Sequence, residues 1–333
     1  MSRLLRLSEL GMPWRTQDPF LFAVYHNDKF PAGNSKCEAP RRGNGMDFNP
    51  TAPYRMYHGI KVPGFPAHPH RGFETVTATL EGCIDHTDSL GGGGRYGGGD
   101  LQWMTAGRGI QHSEMFPLVN QDKGNPLRFF QIWLNLPARK KLTEPAFKMH
   151  WAEEVPKVTS PDGLATVTVW AGEFGGVKAL PPCPDSWAAD PHNDVTVMHV
   201  AAKAGAQLEL PAAKKGCNRT IYFFAGENLS VLGEKLGQHC MAEVVNAEQP
   251  ITLATASVDC ELLVLGGRPI AEPVAQRGPF VMNTSDELMQ AFVDFRATNF
   301  GVWRWPSEDH VHMGKSRFAL IDGKEYYPPP PSK

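Results

Sequence analysis

The sequence lacks an excess of charge of either sign. Its 333 residues include 33 Lys and Arg against 35 Asp and Glu, which gives a formal net charge of −2. A protein that binds a bare phosphate backbone needs a basic surface, because Lys and Arg neutralise the phosphates. We therefore expect no direct nucleic-acid partner.

The sequence also lacks a long hydrophobic run. No apolar stretch approaches the roughly 18 residues that cross a membrane. The leucines near the start are interrupted by Arg6, Ser8 and Glu9, whereas a secretory leader needs about 7–15 consecutive apolar residues. The six cysteines are scattered without a C-x-x-C pair, which is typical of reduced thiols. We expect an intracellular, cytoplasmic protein with no membrane partner.

Glycine and proline are abundant instead, with 33 and 29 residues. Both residue types end helices and form turns, so their abundance favours short strands over a helical bundle or a coiled coil. Apolar and polar residues alternate, as in half-buried strands, in FETVTATLEG, LQWMTAG, RFFQIWLNLP, ATVTVWAG, DVTVMHVAA, RTIYFFAG and ELLVLGG. The sequence predicts an all-β protein, and at about 150 residues per domain its length favours two domains.

A single strong helix pattern occurs near residues 285–297. Thr284 precedes it and Glu287 follows three residues later, which is the spacing of a capping box. Apolar residues then recur at i, i+4 and i+7 and form one face. The sequence therefore predicts a C-terminal α-helix after the strands.

Two short motifs indicate a metal site. His68 and His70 are separated by one residue, and so are His112 and Glu114. Side chains two apart on a strand share a face, so the two pairs can converge on one ion. Glu74 lies on the same face as the first pair if its strand is regular, so the spacing alone leaves two carboxylates open as ligands. Imidazole and carboxylate donors suit iron, manganese, nickel, copper or zinc. The alternative, that all are solvated strand or loop residues, is weakened by the repeated spacing.

Four segments resemble the pirin family, whose members are bicupins of the cupin superfamily: GFPAHPHRGFETVTATLEG (64–82), GDLQWMTAGRGIQHSEM (99–115), QIWLNLP (131–137) and EPVAQRGPFVMNTSDELMQAFVDF (272–295). The resemblance implies two stacked cupin β-barrels. We expect the N-terminal, metal-containing domain at residues 1–185. A second, metal-free barrel that includes the helix is expected at 186–300, and a C-terminal extension at 301–333.

The same resemblance implies a ligand set. In the family, one iron ion (Fe2+/Fe3+) is held in the N-terminal barrel, and the matching positions here are His68, His70, His112 and Glu114. The family pattern thus selects Glu114 over Glu74, which stays in reserve. Other first-row divalent metals are alternatives to iron.

The resemblance further implies a metal-dependent dioxygenase that cleaves flavonols such as quercetin with O2. The substrate would be an aromatic small molecule, and Glu114 would act as the catalytic proton acceptor. The alternative is a redox-responsive, iron-binding transcriptional cofactor that works in the nucleus through a transcription-factor partner. Most of the apolar residues that flank the motifs are expected in the barrel core, and the few that face the metal would form an apolar wall for the substrate; the sequence does not distinguish between them. They are Phe65, Phe73, Trp103, Met115, Phe129 and Trp133. Arg71 and Gln131 are weaker candidates for a supporting role.

Three other features need an interpretation. The tract 91–99 has seven glycines in nine residues, but it lacks the G-x-x-x-x-G-K-[ST] phosphate motif, so we expect a flexible turn or lid. His86 is either hydrogen-bonded beside the metal, to Asp88 or to a ligand histidine, or an ordinary loop residue. His310 and His312 repeat the spacing of the first motif, but they lie beyond the family-like region and are not expected to bind a metal.

Overall fold

The chain folds almost entirely into β-strands. The computed structural model describes residues 5–40 and 46–330, and over these residues it has 26 strands and one α-helix, so the all-β prediction is confirmed. The strands before the mid-chain are β1 (Leu5–Glu9), β2 (Phe20–Phe30), β3 (Gly64–His70), β4 (Phe73–Glu81), β5 (Cys83–Asp88), β6 (Gly93–Gly97), β7 (Leu101–Thr105), β8 (Ile110–Met115), β9 (Asn125–Asn135), β10 (Ala146–His150), β11 (Lys157–Thr159) and β12 (Ala165–Ala171).

The later elements follow in chain order. They are β13 (Glu173–Phe174), β14 (Val177–Lys178), β15 (Thr196–Ala202), β16 (Gln207–Leu210), β17 (Asn218–Ala225), β18 (Leu229–Val231), β19 (Glu234–Leu236), β20 (Cys240–Val244), β21 (Ile251–Ala254), β22 (Cys260–Gly267), β23 (Ala275–Arg277), β24 (Phe280–Met282), α1 (Ser285–Thr298), β25 (Phe318–Ile321) and β26 (Lys324–Tyr326). Three single-turn 3-10 helices lie at Ala138–Lys140, Trp187–Ala189 and Pro191–Asn193.

One compact unit comprises residues 5–24, 132–137 and 155–271. It contains a seven-stranded sheet in the order β1-β20-β17-β22-β15-β12-β11 and a four-stranded sheet in the order β16-β21-β18-β19. Alternate apolar residues of both sheets share one buried core, which removes them from water. Its members include Val167, Val169, Met198, Val200, Ile221, Phe223, Leu229, Val231, Ile251, Leu253, Leu262 and Val264.

The other compact unit comprises residues 25–40, 46–131, 138–154 and 272–330. It contains a six-stranded sheet in the order β26-β25-β6-β5-β8-β3 and most of a five-stranded sheet in the order β10-β7-β4-β9-β2, since residues 20–24 of β2 and 132–135 of β9 are assigned to the first unit. Its core is rich in aromatic side chains: Phe30, Tyr57, Tyr96, Phe116, Phe129 and Trp151. Both histidine motifs lie in this unit, on β3 and β8 of the six-stranded sheet.

The units are divided at other positions than the predicted domain limits of 1–185, 186–300 and 301–333. Residues 155–185 belong with the later strands, because β12 pairs with β15. Residues 272–300 with α1, expected in the second barrel, and residues 301–330, expected as an extension, belong to the unit of the histidine motifs, in which β25 pairs with β6. The unit to which a segment belongs depends on pairing between strands far apart in the sequence, and the order of the strands along the chain does not predict this pairing.

The predicted C-terminal helix is confirmed, whereas the prediction for the glycine tract is partly wrong. Helix α1 has the predicted capping box, with Thr284 and Glu287 each bonded to the other's backbone. The tract 91–99 was expected to be a flexible turn or lid, and this is wrong for Gly93–Gly97, which form β6 between β5 and β25. No helix among the described residues is long and apolar enough to cross a membrane.

A buried lysine ties the turn after β3 to the hairpin β23–β24. The Lys141 Nζ atom donates to the carbonyl oxygens of Gly72 at 2.8 Å and Val281 at 3.2 Å. Burial lowers the pKa of the Lys141 ammonium from 10.5 to about 8. Both contacts lie close to the end of the strand that carries His68 and His70.

This lysine should make stability depend on pH. Because its pKa is lower in the folded chain, the unfolded chain binds more protons between pH 8 and 10.5. The free energy of unfolding of the wild type should therefore rise with pH across this window relative to Lys141→Met. Urea unfolding of both proteins at several pH values measures the difference, and parallel pH profiles would contradict the expectation.

Candidate metal centre

The pairing of two strands brings three histidines together. β3 carries His68 and His70, β8 carries His112, and the antiparallel register places His68 opposite His112. Because alternate strand residues share a face, all three imidazoles point to the same side. Ring centroids are 4.8 Å apart for His68 and His70, 4.5 Å for His68 and His112, and 5.0 Å for His70 and His112. One potential ligand atom from each lies within 4.8 Å of the others, so this group could hold a metal ion.

The local hydrogen bonds and burial suit these imidazoles for ligation. Nδ1 of His68 is bonded to the Pro66 carbonyl at 2.9 Å, and Nδ1 of His70 is bonded to the Pro279 carbonyl at 3.3 Å. A carbonyl only accepts, so each Nδ1 carries the proton and the lone pair is on Nε2, the arrangement common in metal sites. Burial lowers the pKa of His68 to about 4, and it lowers the pKa values of His70 and His112 well below the ordinary range. All three are therefore neutral at pH 7, the form that binds metals.

The third histidine provides the test of fit. His112 is fully buried, and neither of its ring nitrogens has a hydrogen-bond partner within the described parts of the chain. A buried nitrogen without a partner costs free energy, about 1–3 kcal/mol. A cation at the centre of the three rings would give one of these two nitrogens a partner, so the residues present fit a metal ion.

Glu114 lies next to this group. Its Oε2 atom is 4.0 Å from Nε2 of His112. Oε1 accepts from the Thr77 hydroxyl at 3.0 Å, and Oε2 accepts from the Gln131 amide at 2.7 Å. Burial raises the pKa of Glu114 and outweighs the hydrogen bonds that act to lower it. The hydrogen bonds from Thr77 and Gln131 restrain the Glu114 side chain. The group thus consists of three neutral imidazoles with one carboxyl group beside them.

The reserve carboxylate is engaged elsewhere. Glu74 on β4 is fully buried and stands opposite Thr105 on β7 of the five-stranded sheet. Its Oε1 atom accepts from the Trp103 indole at 3.1 Å and from the Thr105 hydroxyl at 2.7 Å. These bonds hold Glu74 in the five-stranded sheet, so the geometry favours Glu114 as the carboxylate donor.

Of the other residues that the sequence singled out, His86 and Gln131 lie at the histidine group, and Arg71 is paired with the helix. His86 lies beside the three imidazoles, 5.6 Å from the His112 ring, and its Nε2 atom is 3.1 Å from the Asp88 carboxylate. Gln131 contacts Glu114 as described, whereas Arg71 pairs with Asp294 of α1 at 2.7 Å.

The last histidine pair does not form a comparable group. The imidazole of His312 is bonded through Nε2 to the His86 carbonyl at 2.9 Å. Among the described residues, the close group of three potential ligands is formed by the three histidines of β3 and β8 alone.

Sequence reasoning missed one supporting residue and one aromatic cluster. Thr77 was hidden in an ordinary strand pattern, and only pairing in the sheet shows that its hydroxyl reaches Glu114. Phe48 and His58, both exposed, pack on each other with ring centroids 5.1 Å apart. The Phe65 ring lies 5.7 Å from His58 and 6.5 Å from Phe48. Phe65 in turn lies 6.3 Å from His68, the least buried of the three histidines.

Comparison with known families explains the motifs. A family model described as "Pirin" matches residues 11–134, and one described as "Pirin C-terminal cupin domain" matches residues 197–301. Together with the two β units, these matches confirm the predicted all-β fold of two cupin domains.

Curated relatives cover most of the chain. A protein named "Putative quercetin 2,3-dioxygenase" from Pseudomonas aeruginosa is 35% identical over 237 residues, which are 71% of this chain and 79% of that protein. A protein named "Pirin" from Homo sapiens is 35% identical over 269 residues, which are 79% of this chain and 87% of that protein. A crystal structure titled quercetin 2,3-dioxygenase from Acinetobacter baumannii is 29% identical with a TM-score of 0.67, covering 86% of this chain and 87% of that one.

The three imidazoles predict a measurable metal content. We expect purified protein to contain about one first-row metal atom per chain and His112→Ala to lose most of it, because a cation site with a missing ligand loses affinity by orders of magnitude. His192→Ala is the control, since the side chain of His192 is 91% exposed. Elemental analysis by mass spectrometry makes the measurement, and an unchanged metal content in His112→Ala would reject the site.

Proposed function

This chain belongs to the pirin family, and from that membership we propose that it is a metal-dependent dioxygenase that cleaves flavonols such as quercetin with O2. The observation that carries the proposal is the convergence of His68, His70 and His112, with the Glu114 carboxylate 4.0 Å from the His112 ring. Relatives and a solved structure that are named quercetin 2,3-dioxygenase support the choice of reaction.

Iron is the metal we propose, held by the three histidines and Glu114. The donor set has three neutral nitrogens and one carboxylate, which suits borderline first-row ions, so manganese, nickel, copper and zinc are alternatives. When bound, such an ion acts as a Lewis acid that lowers the pKa of a hydroxyl group in contact with it. The two carbonyl contacts of His68 and His70 hold the imidazoles in the orientation that presents Nε2.

Glu114 is the proposed proton acceptor for the flavonol hydroxyl. A base works best when its pKa approaches the operating pH, and burial shifts the pKa of Glu114 in that direction. The bonds from Thr77 and Gln131 reach one carboxylate oxygen each. Both donors hold the carboxylate in place. Once Glu114 has passed on the proton that it accepted, the Gln131 amide can again stabilise the charged carboxylate.

An aromatic cluster supports an aromatic substrate. Phe65 stands beside His68, and Phe48 and His58 pack on Phe65. Phe48 is 39% exposed although it is apolar. Flat ligands bind such faces by stacking and edge-to-face contacts. Tyr57 fixes this segment, because its hydroxyl donates to the buried Asp28 carboxylate at 2.6 Å.

The regulatory alternative keeps the same metal site. A change of oxidation state would alter the charge of the site by one and bias a nearby surface toward or away from a transcription-factor partner. The cytoplasmic location, the nuclear one and the partner stay predictions. Equal capture of partners by the ferrous and the ferric protein would count against this alternative.

Exchanging the two carboxylates tests their roles. Metal-loaded wild type should consume quercetin under air, seen as loss of the flavonol absorbance. Glu114→Gln should lower kcat by about 100-fold or more, because the amide can neither accept the proton nor supply the ligand charge. Glu74→Gln should stay within about threefold, since its amide oxygen can still accept from Trp103 and Thr105.

The opposite result would exchange the assignments. Loss of activity and of metal in Glu74→Gln with activity retained in Glu114→Gln would make Glu74 the ligand. A wild type that consumes no quercetin with iron, copper, manganese or nickel would reject the proposed reaction.

The aromatic cluster predicts a change in KM. Phe48→Ala removes one ring contact worth about 0.5–1.5 kcal/mol, so KM for quercetin should rise about 2–10-fold while kcat is kept. Leu142→Ala is the matched control, because Leu142 is apolar and 60% exposed in the same unit without belonging to the cluster. Steady-state kinetics distinguishes the two, and an equal effect of both variants would exclude the cluster as a substrate contact.

A further inference from the structure

We propose that residues 302–326, called the clasp below, hold the metal-ligand strands in position from the outer face of the six-stranded sheet. The inference rests on the proposed metal site but concerns residues beyond the family match, which ends at residue 301. The clasp follows α1 and ends in β25 and β26.

The clasp joins the sheet at one edge through the glycine tract. β25 pairs with β6 so that Leu320 stands opposite Gly93 and Ala319 opposite Gly94. A Cβ atom on Gly93 would lie 2.9 Å from the ring of Trp305 and 3.2 Å from the ring of His312. A side chain at Gly93 would therefore push the clasp away from the sheet.

The clasp lies on the face opposite the ligands. On β5, His86 stands opposite Glu114 of β8, so the two share a face with the metal group. Thr87 points to the other face, and Gly93 stands opposite Thr87 on β6. Since the missing side chain of Gly93 would meet Trp305 and His312, these two rings cover the outer face.

Three hydrogen bonds connect the clasp to backbone groups next to the proposed ligands, either opposite them on β5 or adjacent to them on β3. The indole of Trp305 donates to the carbonyl of Asp88 at 2.8 Å, and Asp88 stands opposite His112. Nε2 of His312 donates to the carbonyl of His86 at 2.9 Å, opposite Glu114.

The third bond reaches the strand that carries two ligands. The amide of Ala67, next to His68, donates to the Glu308 carbonyl at 2.9 Å. The pairing of β3 with β8 shifts register between Phe65 and His68. Ala67 lies within this irregular stretch, and the clasp supplies its hydrogen-bond acceptor.

These contacts have a physical consequence for metal affinity. β3 is the last strand of its sheet and has the neighbour β8 on one side only. An edge strand with an irregular register is held less firmly than a central one. Fixing the backbone beside His68 and behind His112 lowers the cost of bringing the ligand atoms to one point, as partners of metal ligands generally do.

Two tryptophans provide a matched test. Trp305→Phe keeps a ring over Gly93 but removes the donor to Asp88. Trp303→Phe removes an indole donor whose acceptor, the carbonyl of Ser307 at 2.9 Å, lies within the clasp itself. Competition with a chromophoric chelator for Co2+ measures affinity, and the visible absorption of the Co2+ protein reports ligand geometry. We expect Trp305→Phe to weaken Co2+ binding about tenfold and to change the spectrum, and Trp303→Phe to do neither.

His312 provides a rescue experiment. His312→Phe should weaken Co2+ binding in the same way, and His312→Gln should restore it, because the amide nitrogen of Gln can replace Nε2 as donor to the His86 carbonyl. Thermal unfolding of the metal-free variants separates positioning from general stability. Weaker binding with an unchanged melting temperature supports the clasp.

Three results would overturn the inference. Equal Co2+ affinity and equal spectra for the wild type, Trp305→Phe and His312→Phe would reject the clasp while leaving the metal site intact. If the variants lose Co2+ affinity only to the extent that the melting temperature of the metal-free protein falls, the clasp contributes general stability and does not position the ligands. A wild type that binds neither Co2+ nor iron would remove the proposed metal site and the clasp with it.

Discussion

The register between β3 and β8 is the constraint on which the candidate site depends. With His68 opposite His112, the alternation of strand side chains sends three imidazoles to one face. A shift of one residue would turn one strand's histidines to the other face and disperse the group. The two strands are not held equally, because β8 is an interior strand paired on both sides, whereas β3 is the edge strand of the sheet and pairs only with β8.

Burial then decides the chemistry of the group. Removing the imidazoles from water lowers their pKa values, and removing Glu114 from water raises its pKa. Neutral nitrogens beside one anchored carboxylate form a site that favours a cation over a proton. The hydroxyl of Thr77 and the amide of Gln131 determine where that carboxylate points, so the five-stranded sheet and the six-stranded sheet both contribute to one centre.

The glycine tract acquires its meaning only through the last segment of the chain. A run so rich in glycine is typical of a mobile loop, yet the part from Gly93 to Gly97 is a buried strand. It lacks side chains at Gly93 because the clasp, with Trp305 and His312, occupies the space outside it. The segment that the sequence predicted to be a C-terminal extension therefore packs on the outer face of the sheet that carries the ligand residues.

The sequence by itself determined the all-β class, the helix with its capping box, and the three histidines, because these depend on local alternation and on spacing within one strand. Spacing alone did not determine the carboxylate, since both Glu74 and Glu114 suit it, and only the family resemblance favoured Glu114. The pairing of β4 with β7 shows that Glu74 belongs to another sheet. Thr77, the aromatic cluster at Phe48 and the clasp were decided by tertiary structure alone. Each depends on pairing between segments far apart in the chain, and no local pattern of residues carries that information.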